Sequence, residues 1–216
     1  MHTVNLDGRS ITVGKIVCIG RNYAEHIKEL GNKTPDKAVI FMKPASAIVA
    51  PGGTVAIPDY SNDCHHEIEL AVLIGKAAKG VCAAEALDHV SGYAVALDLT
   101  LRDVQNTQKE KGLPWEIAKG FDTSCPLSAF VPANQVRNPQ NLQLKLTVNG
   151  KIRQNGNTGD MMRTIAELVA EVSSYFTLEE GDILLTGTPS GVARITSGDR
   201  LEASIEGVGK LVVSVA

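Results

Sequence analysis

A surplus of basic residues is missing from this 216-residue sequence: 21 Lys and Arg face 24 Asp and Glu, a formal net charge of -3. That excludes nucleic acid as the main partner, because nothing is left over to neutralise phosphates. Cysteine is scarce too. Cys18, Cys64, Cys82 and Cys125 are scattered without a CxxC pair, which suits neither a zinc site nor a disulfide framework and points to a reducing cytosol. No apolar run approaches the roughly 18 residues of a membrane helix. The opening MHTVNLDGRSITVG has neither the basic start nor the apolar middle of a signal peptide. A cytoplasmic protein is expected. Repeats and low-complexity segments are absent as well. With 44% apolar residues, the length suits one domain over residues 1–216, with residues 1–14 a short hairpin packed on it.

What is present is strand after strand. VNLDGRSITV reads as a hairpin turning at Asp7-Gly8, and LQLKLTVNGKIRQ as a second with Asn149-Gly150 at its tip. KIVCIG (15–20) is a short buried strand. RNYAEHIKELG reads as a helix with Asn22 as N-cap and Gly31 just past its end. AAEALDHV is a short helix, and TIAELVAEVSSYF has the apolar spacing of a longer one. GDILLTGTPSG, GDRLEASIEG and KLVVSVA finish as strands separated by glycine turns. Strands that do not alternate with helices exclude a doubly wound sheet and predict an α+β, mainly β fold curled around one core.

HHEIELAVLIG (65–75) carries a contradiction. Its second half is an oily strand, yet Glu67 and Glu69 stand two apart and so share a face, while Ile68, Leu70, Val72 and Ile74 point the other way. Like charges at that spacing repel, so a cation or free water is needed between them. YAVALDLT supplies a third acid: Asp98 shares a face with Ala94 and Ala96, opposite Tyr93, Val95, Leu97 and Leu99. An acid in such an apolar strand must have its desolvation offset. Three hard oxygen donors favour Mg²⁺, Mn²⁺ or Ca²⁺ over zinc or copper. The plainer alternative is a solvated strand edge, with Asp98 capping a turn.

His26 and Glu29 lie three apart on the first helix and face one side, the arrangement that prepares a general base. A solvated helix surface is the bland alternative. His65 and His66 lack the H-E-x-x-H spacing of helical zinc sites and read better as partners orienting the acids. Lys119 lies in a segment, KEKGLPWEIAKGFD, that carries the single tryptophan, Trp115, and reads as a loop over a site or a packed surface loop. Arg102 and Gln105 follow Asp98 and suit a substrate carboxylate. TGTPSG (186–191) offers backbone amides and a hydroxyl to an anion but lacks the lysine of a nucleotide-binding P-loop.

Taken together, GRNYAEH (20–26), FMKP (41–44), HHEIELAVLIG, GYAVALDLTLRDVQ (92–105), GLPWEIAKGFDTSCPLS (112–128) and GDILLTGTPSGV (181–192) resemble the fumarylacetoacetate hydrolase family, in its short acylpyruvase-like branch. The long N-terminal domain of fumarylacetoacetate hydrolase itself has no counterpart, and that exact enzyme is not expected. The resemblance implies a mixed β-sandwich roll, a homodimer and a Mg²⁺ or Mn²⁺ site, with Ca²⁺ as a substitute. It implies Glu67, Glu69 and Asp98 as metal ligands, and His26, Glu29 and Lys119 as catalytic groups. Arg21, Tyr23, Lys43, Arg102, Gln105 and Thr188 would line the pocket for a small dicarboxylate or 2-oxo acid. The implied reaction is hydrolysis of a carbon–carbon bond in a 2,4-dioxo acid of the acylpyruvate or fumarylpyruvate type, releasing pyruvate. Oxaloacetate decarboxylation, oxaloacetate keto–enol tautomerisation, or an isomerase/decarboxylase step of aromatic catabolism would use the same site. A metal-binding dimerisation protein without activity is the alternative of a different class.

Overall fold

The computed structural model describes residues 1–31 and 33–216. Six strands form a mixed sheet in the order Val131–Pro132, Val90–Leu97, Ile68–Ile74, Ile183–Leu185, Ile16–Gly20, Val39–Lys43. A second sheet runs Lys151–Asn157, Gln143–Val148, Arg200–Ile205, Gly209–Val215, Thr54–Val55. Neighbours pair antiparallel except Ile183–Leu185 with Ile16–Gly20 and Gly209–Val215 with Thr54–Val55. The mainly β sandwich expected from the sequence is therefore what forms.

The central strand Ile68–Ile74 is buried along its whole length, and its alternation divides two cores. Ile68, Leu70, Val72 and Ile74, with Tyr93, Val95, Leu97 and Leu99, pack toward Leu144, Leu146, Leu211 and Val213 of the second sheet. Ala71 and Leu73 pack on the other face with Ala94, Ala96, Cys18 and Cys125. Each large apolar side chain so buried contributes roughly 1.5–3 kcal/mol. The acids at this strand's end are thus mounted on the best-anchored element of the fold.

Both hairpin turns form as read, with φ positive at Asp7, Gly8, Asn149 and Gly150, the signature of a type I′ turn. The N-terminal hairpin, Thr3–Leu6 and Arg9–Thr12, is held where Phe130 N–H donates to Asn5 O at 2.7 Å. Ile165–Tyr175 is the longest helix described, closed by a capping box between Thr164 and Glu167.

Three readings change. The first helix is only Ala24–Glu29, and Tyr23, not Asn22, occupies its N-cap. The Asn22 amide instead donates to Thr186 O and Arg163 O, so it ties its loop to segments far away in sequence. AAEALDHV yields one 3-10 turn, Ala86–His89. Finally, Glu116–Lys119 is a helix inside the segment expected to be a loop, and Arg102–Glu110 is a helix without an expected counterpart. RDVQNTQKE has Val104 as its single apolar residue, so no periodic stripe announces it.

Candidate metal and acid–base site

Two breaks in the ladder create the acid cluster. Glu67 is the single residue between strands Cys64–His66 and Ile68–Ile74, and Asp98 follows directly on Val90–Leu97. Asp98 N–H donates to Glu67 O at 2.8 Å, which locks the breaks together. Glu69 remains inside its strand, opposite Ala96. One oxygen from each of the three buried carboxylates lies within 4.8 Å of the others.

Positive charge does stand between them. Lys119 Nζ donates to Glu67 Oε2 at 2.8 Å and to Asp98 Oδ2 at 2.6 Å. Arg102 pairs with Glu67 Oε1 and also donates to Gln105. Lys43 Nζ lies 2.8 Å from Asp98 Oδ1 and donates to Leu99 O and Lys119 O. Burial alone would raise the Glu67 carboxyl, but Lys119 and Arg102 outweigh it and hold Glu67 below the usual carboxylate range. Glu69 moves the other way. Burial, then Asp98 and Glu67, push it well up, and one Gly187 N–H at 2.7 Å does not offset them.

These residues fit a divalent cation. Asp98 Oδ1 has no hydrogen-bond partner although it is buried, because the Lys43 contact lacks hydrogen-bond alignment. Glu69 is short of positive charge, and every donor is a hard oxygen. Among the described residues, this is also the one cluster of three or more such side chains spaced to hold an ion.

Beside the acids lies a cavity of about 30 Å³ lined by Arg21, His26, Glu67, Arg102, Gln105, Lys109, Trp115 and Lys119, among others. It holds a few waters. A larger hollow of about 300 Å³ against the N-terminal hairpin has no titratable side chain in its lining and offers no such chemistry. His26 Nδ1 stands 3.3 Å from Glu29 Oε2. With Nδ1–H donated to that carboxylate, Nε2 carries the lone pair. Arg21 adopts φ +60, a conformation costly for a residue with a Cβ.

The 186–191 loop spends its amides on the protein rather than on a ligand. Gly187 N–H reaches Glu69, and Gly191 N–H reaches Glu29 at 3.0 Å. Both glycines have φ near +100, and an added Cβ would meet Asn22 Cβ at 2.8 Å or Arg153 O at 2.2 Å. Thr188 accepts from Gln154 Nε2 at 2.7 Å. The sequence reading passed over Gln154. Its buried amide also donates to Pro189 O, and its oxygen accepts from Ile68 N–H and His66 Nδ1–H, the two residues flanking Glu67. A glutamine in an amphipathic hairpin gives no local signal of this.

Other expected residues fall elsewhere. Lys43 lies beneath Asp98, fully buried, and Tyr23 opens on a neighbouring cavity with Asp160 and Ser190, its hydroxyl lacking a hydrogen-bond partner. His65 and His66 do not orient the acids. His65 pairs with Asp63 at 2.9 Å and His66 with Gln154 at 3.0 Å, because the break at Glu67 turns its carboxylate toward Lys119 and Arg102.

Residues 15–216 match the family described as fumarylacetoacetate (FAA) hydrolase, C-terminal. The chain is 50% identical over 193 residues to oxaloacetate tautomerase FAHD1, mitochondrial, of Bos taurus, covering 89% of this chain and 87% of that one. It is 50% identical over 196 residues to oxaloacetate tautomerase YcgM of Escherichia coli K12, covering 90% of each. The crystal structure of fumarylpyruvate hydrolase from Pseudomonas aeruginosa, in complex with Mn²⁺ and pyruvate, superposes with a TM-score of 0.95 at 38% identity, covering 99% of this chain and 95% of that one. A match running from residue 15 to the last residue, on the fold that carries the acid cluster, places this chain in the fumarylacetoacetate hydrolase family.

Proposed function

We propose that this protein is a metal-dependent enzyme of small 2-oxo acids whose main reaction is keto–enol tautomerisation of oxaloacetate. The observation that carries this is the cluster of three buried acids, one oxygen of each within 4.8 Å of the others, beside a His26–Glu29 pair. Kinship with two oxaloacetate tautomerases supports the choice of substrate. Glu67, Glu69 and Asp98 would hold Mg²⁺ or Mn²⁺, which supplies Lewis-acid charge to substrate oxygens. Tautomerisation moves one proton between the enol oxygen and C3. His26 Nε2 is the group to accept and return it, with Glu29 steadying the ring. The Lys119 ammonium, fixed by Glu67 and Asp98, stabilises negative charge developing on the oxygen.

A second reading has its own support. The same His26 could take a proton from water instead, as the water attacks the C4 carbonyl of an acylpyruvate. The C3–C4 bond then breaks, its electron pair stays on C3, and C3 takes up a proton. The likeness to a fumarylpyruvate hydrolase favours this route. A panel of enol-oxaloacetate, acetylpyruvate and fumarylpyruvate with Mg²⁺ separates the two. Faster turnover of enol-oxaloacetate supports the proposal; efficient cleavage of a dioxo acid with no tautomerase activity would overturn it. No turnover of any of them would favour a binding protein.

A further inference from the structure

The cavity has an inner and an outer ammonium, separated by an aromatic pair. Phe41 and Trp115 pack with ring centroids 5.9 Å apart. Lys119 Nζ lies 4.8 Å from the Phe41 centroid on the inner side, and Lys109 Nζ lies 5.3 Å from the Trp115 centroid on the outer side. The two are used differently. Lys119 is consumed by Glu67 and Asp98. The Lys109 ammonium makes no ion pair or hydrogen bond among the described residues and lies against the Trp115 face.

Helix geometry aims Lys109 at the same space as the binding groups. Arg102, Gln105 and Lys109 stand three and then four residues apart, so they share one face of the Arg102–Glu110 helix. All three line the cavity. Lys109 sits about 10 Å along the axis from Arg102, toward the mouth. The charge balance also matters. Glu67, Glu69 and Asp98 are matched in number by Lys43, Arg102 and Lys119. Lys109 is surplus, and its half-buried ammonium is crowded by Arg102, Arg21 and Lys119. An anion arriving from outside is what relieves that crowding.

Resting on the 2-oxo acid reading above, we infer that Lys109 is a specificity-determining residue that receives the second carboxylate of a dicarboxylic 2-oxo acid. The carboxylate and 2-oxo group at one end would face the cation that the acid cluster would hold, and the far carboxylate meets Lys109 over the Trp115 ring. Trp115 holds the ammonium without neutralising it, as an aromatic face does. Monocarboxylic 2-oxo acids of the same length lack this contact.

The test uses Mn²⁺-loaded protein and a matched four-carbon pair, oxaloacetate and 2-oxobutyrate, which differ by a carboxylate in place of a methyl. Binding is read as quenching of Trp115, the single tryptophan. Wild-type protein should prefer oxaloacetate. Lys109→Met should cut that preference about tenfold or more, the worth of one charge-assisted hydrogen bond, and Lys109→Arg should restore most of it. Equal weakening of both ligands, or an intact preference, would overturn the role of Lys109 and leave the 2-oxo acid reading standing. Failure of the wild type to bind either ligand would overturn both.

Discussion

The floor of the site and its outer wall are built by opposite means. The floor is made of strand ends: Glu67, Glu69 and Asp98 lie on or next to the paired strands Ile68–Ile74 and Val90–Leu97 of the larger sheet, all three buried, with Glu67 and Asp98 cross-linked by Lys119, Arg102 and Lys43. The wall is made of short helices, Ala24–Glu29, Arg102–Glu110 and Glu116–Lys119, none with a side-chain N-cap. Glu29 and Trp115 on that wall reach solvent. A cation needs fixed ligands, and a sheet buried on both faces supplies them. The wall borders a cavity of about 30 Å³ beside the acids. On the proposed function, charge binding would fall to the floor, and proton transfer and selectivity to the wall.

The sharpest way to break the comparison is in the floor. Glu69→Gln keeps the shape and the Gly187 contact but removes a charge, and we expect calorimetry to show Mg²⁺ binding lost and turnover down on the order of 10³-fold. On the wall, His26→Ala should lower turnover about 10²–10⁴-fold while Mg²⁺ binding, measured the same way, persists. Loss of metal binding in that variant would erase the division between floor and wall. Gln154→Leu probes the seam between floor and loop. It strands Ile68 N–H and the His66 ring, at about 1–3 kcal/mol for each buried group left unpaired. Both thermal stability and metal affinity should fall, the latter about 10–100-fold. Unchanged metal affinity would show that Gln154 supports the fold alone.

The smallest expected effect is one of pH. Burial, then Arg102, Arg21 and Lys119, push the Lys109 ammonium down to about 8, with Glu67 opposing them. Its charge is present below that pH and lost above it. The kcat/KM for oxaloacetate should therefore fall as pH rises through about 8, and Lys109→Arg should remove that fall because guanidinium stays charged. A wild-type profile flat across this range would count against a charged Lys109 at the mouth.

The same contrast governs what the sequence discloses. The floor was legible because strand periodicity is local. Alternation in HHEIELAVLIG and YAVALDLT singled out the three acids as misfits on oily strands and put Val95 and Leu97 on one face and Ala94 and Ala96 on the other, as observed, although Glu67 and Asp98 sit at breaks in the ladder. The wall was not legible. RDVQNTQKE is polar all round, and its helix is held by Arg102 and Gln105 in contacts with the site rather than by an apolar stripe. Gln154 and the true partner of His66 depend on a contact 88 residues apart, which no short-range pattern encodes. Asn22 looked like a helix cap locally but serves loops 141 and 164 residues away.

The central claim is that the acid cluster grips a divalent cation on which 2-oxo acid chemistry depends. Its most direct test follows the disappearance of enol-oxaloacetate by ultraviolet absorbance, using protein stripped with chelator and then titrated with Mg²⁺ or Mn²⁺. The account predicts that catalysis is lost on stripping, returns with the metal, and fails to return in Glu69→Gln. Full catalysis by the stripped protein would contradict it.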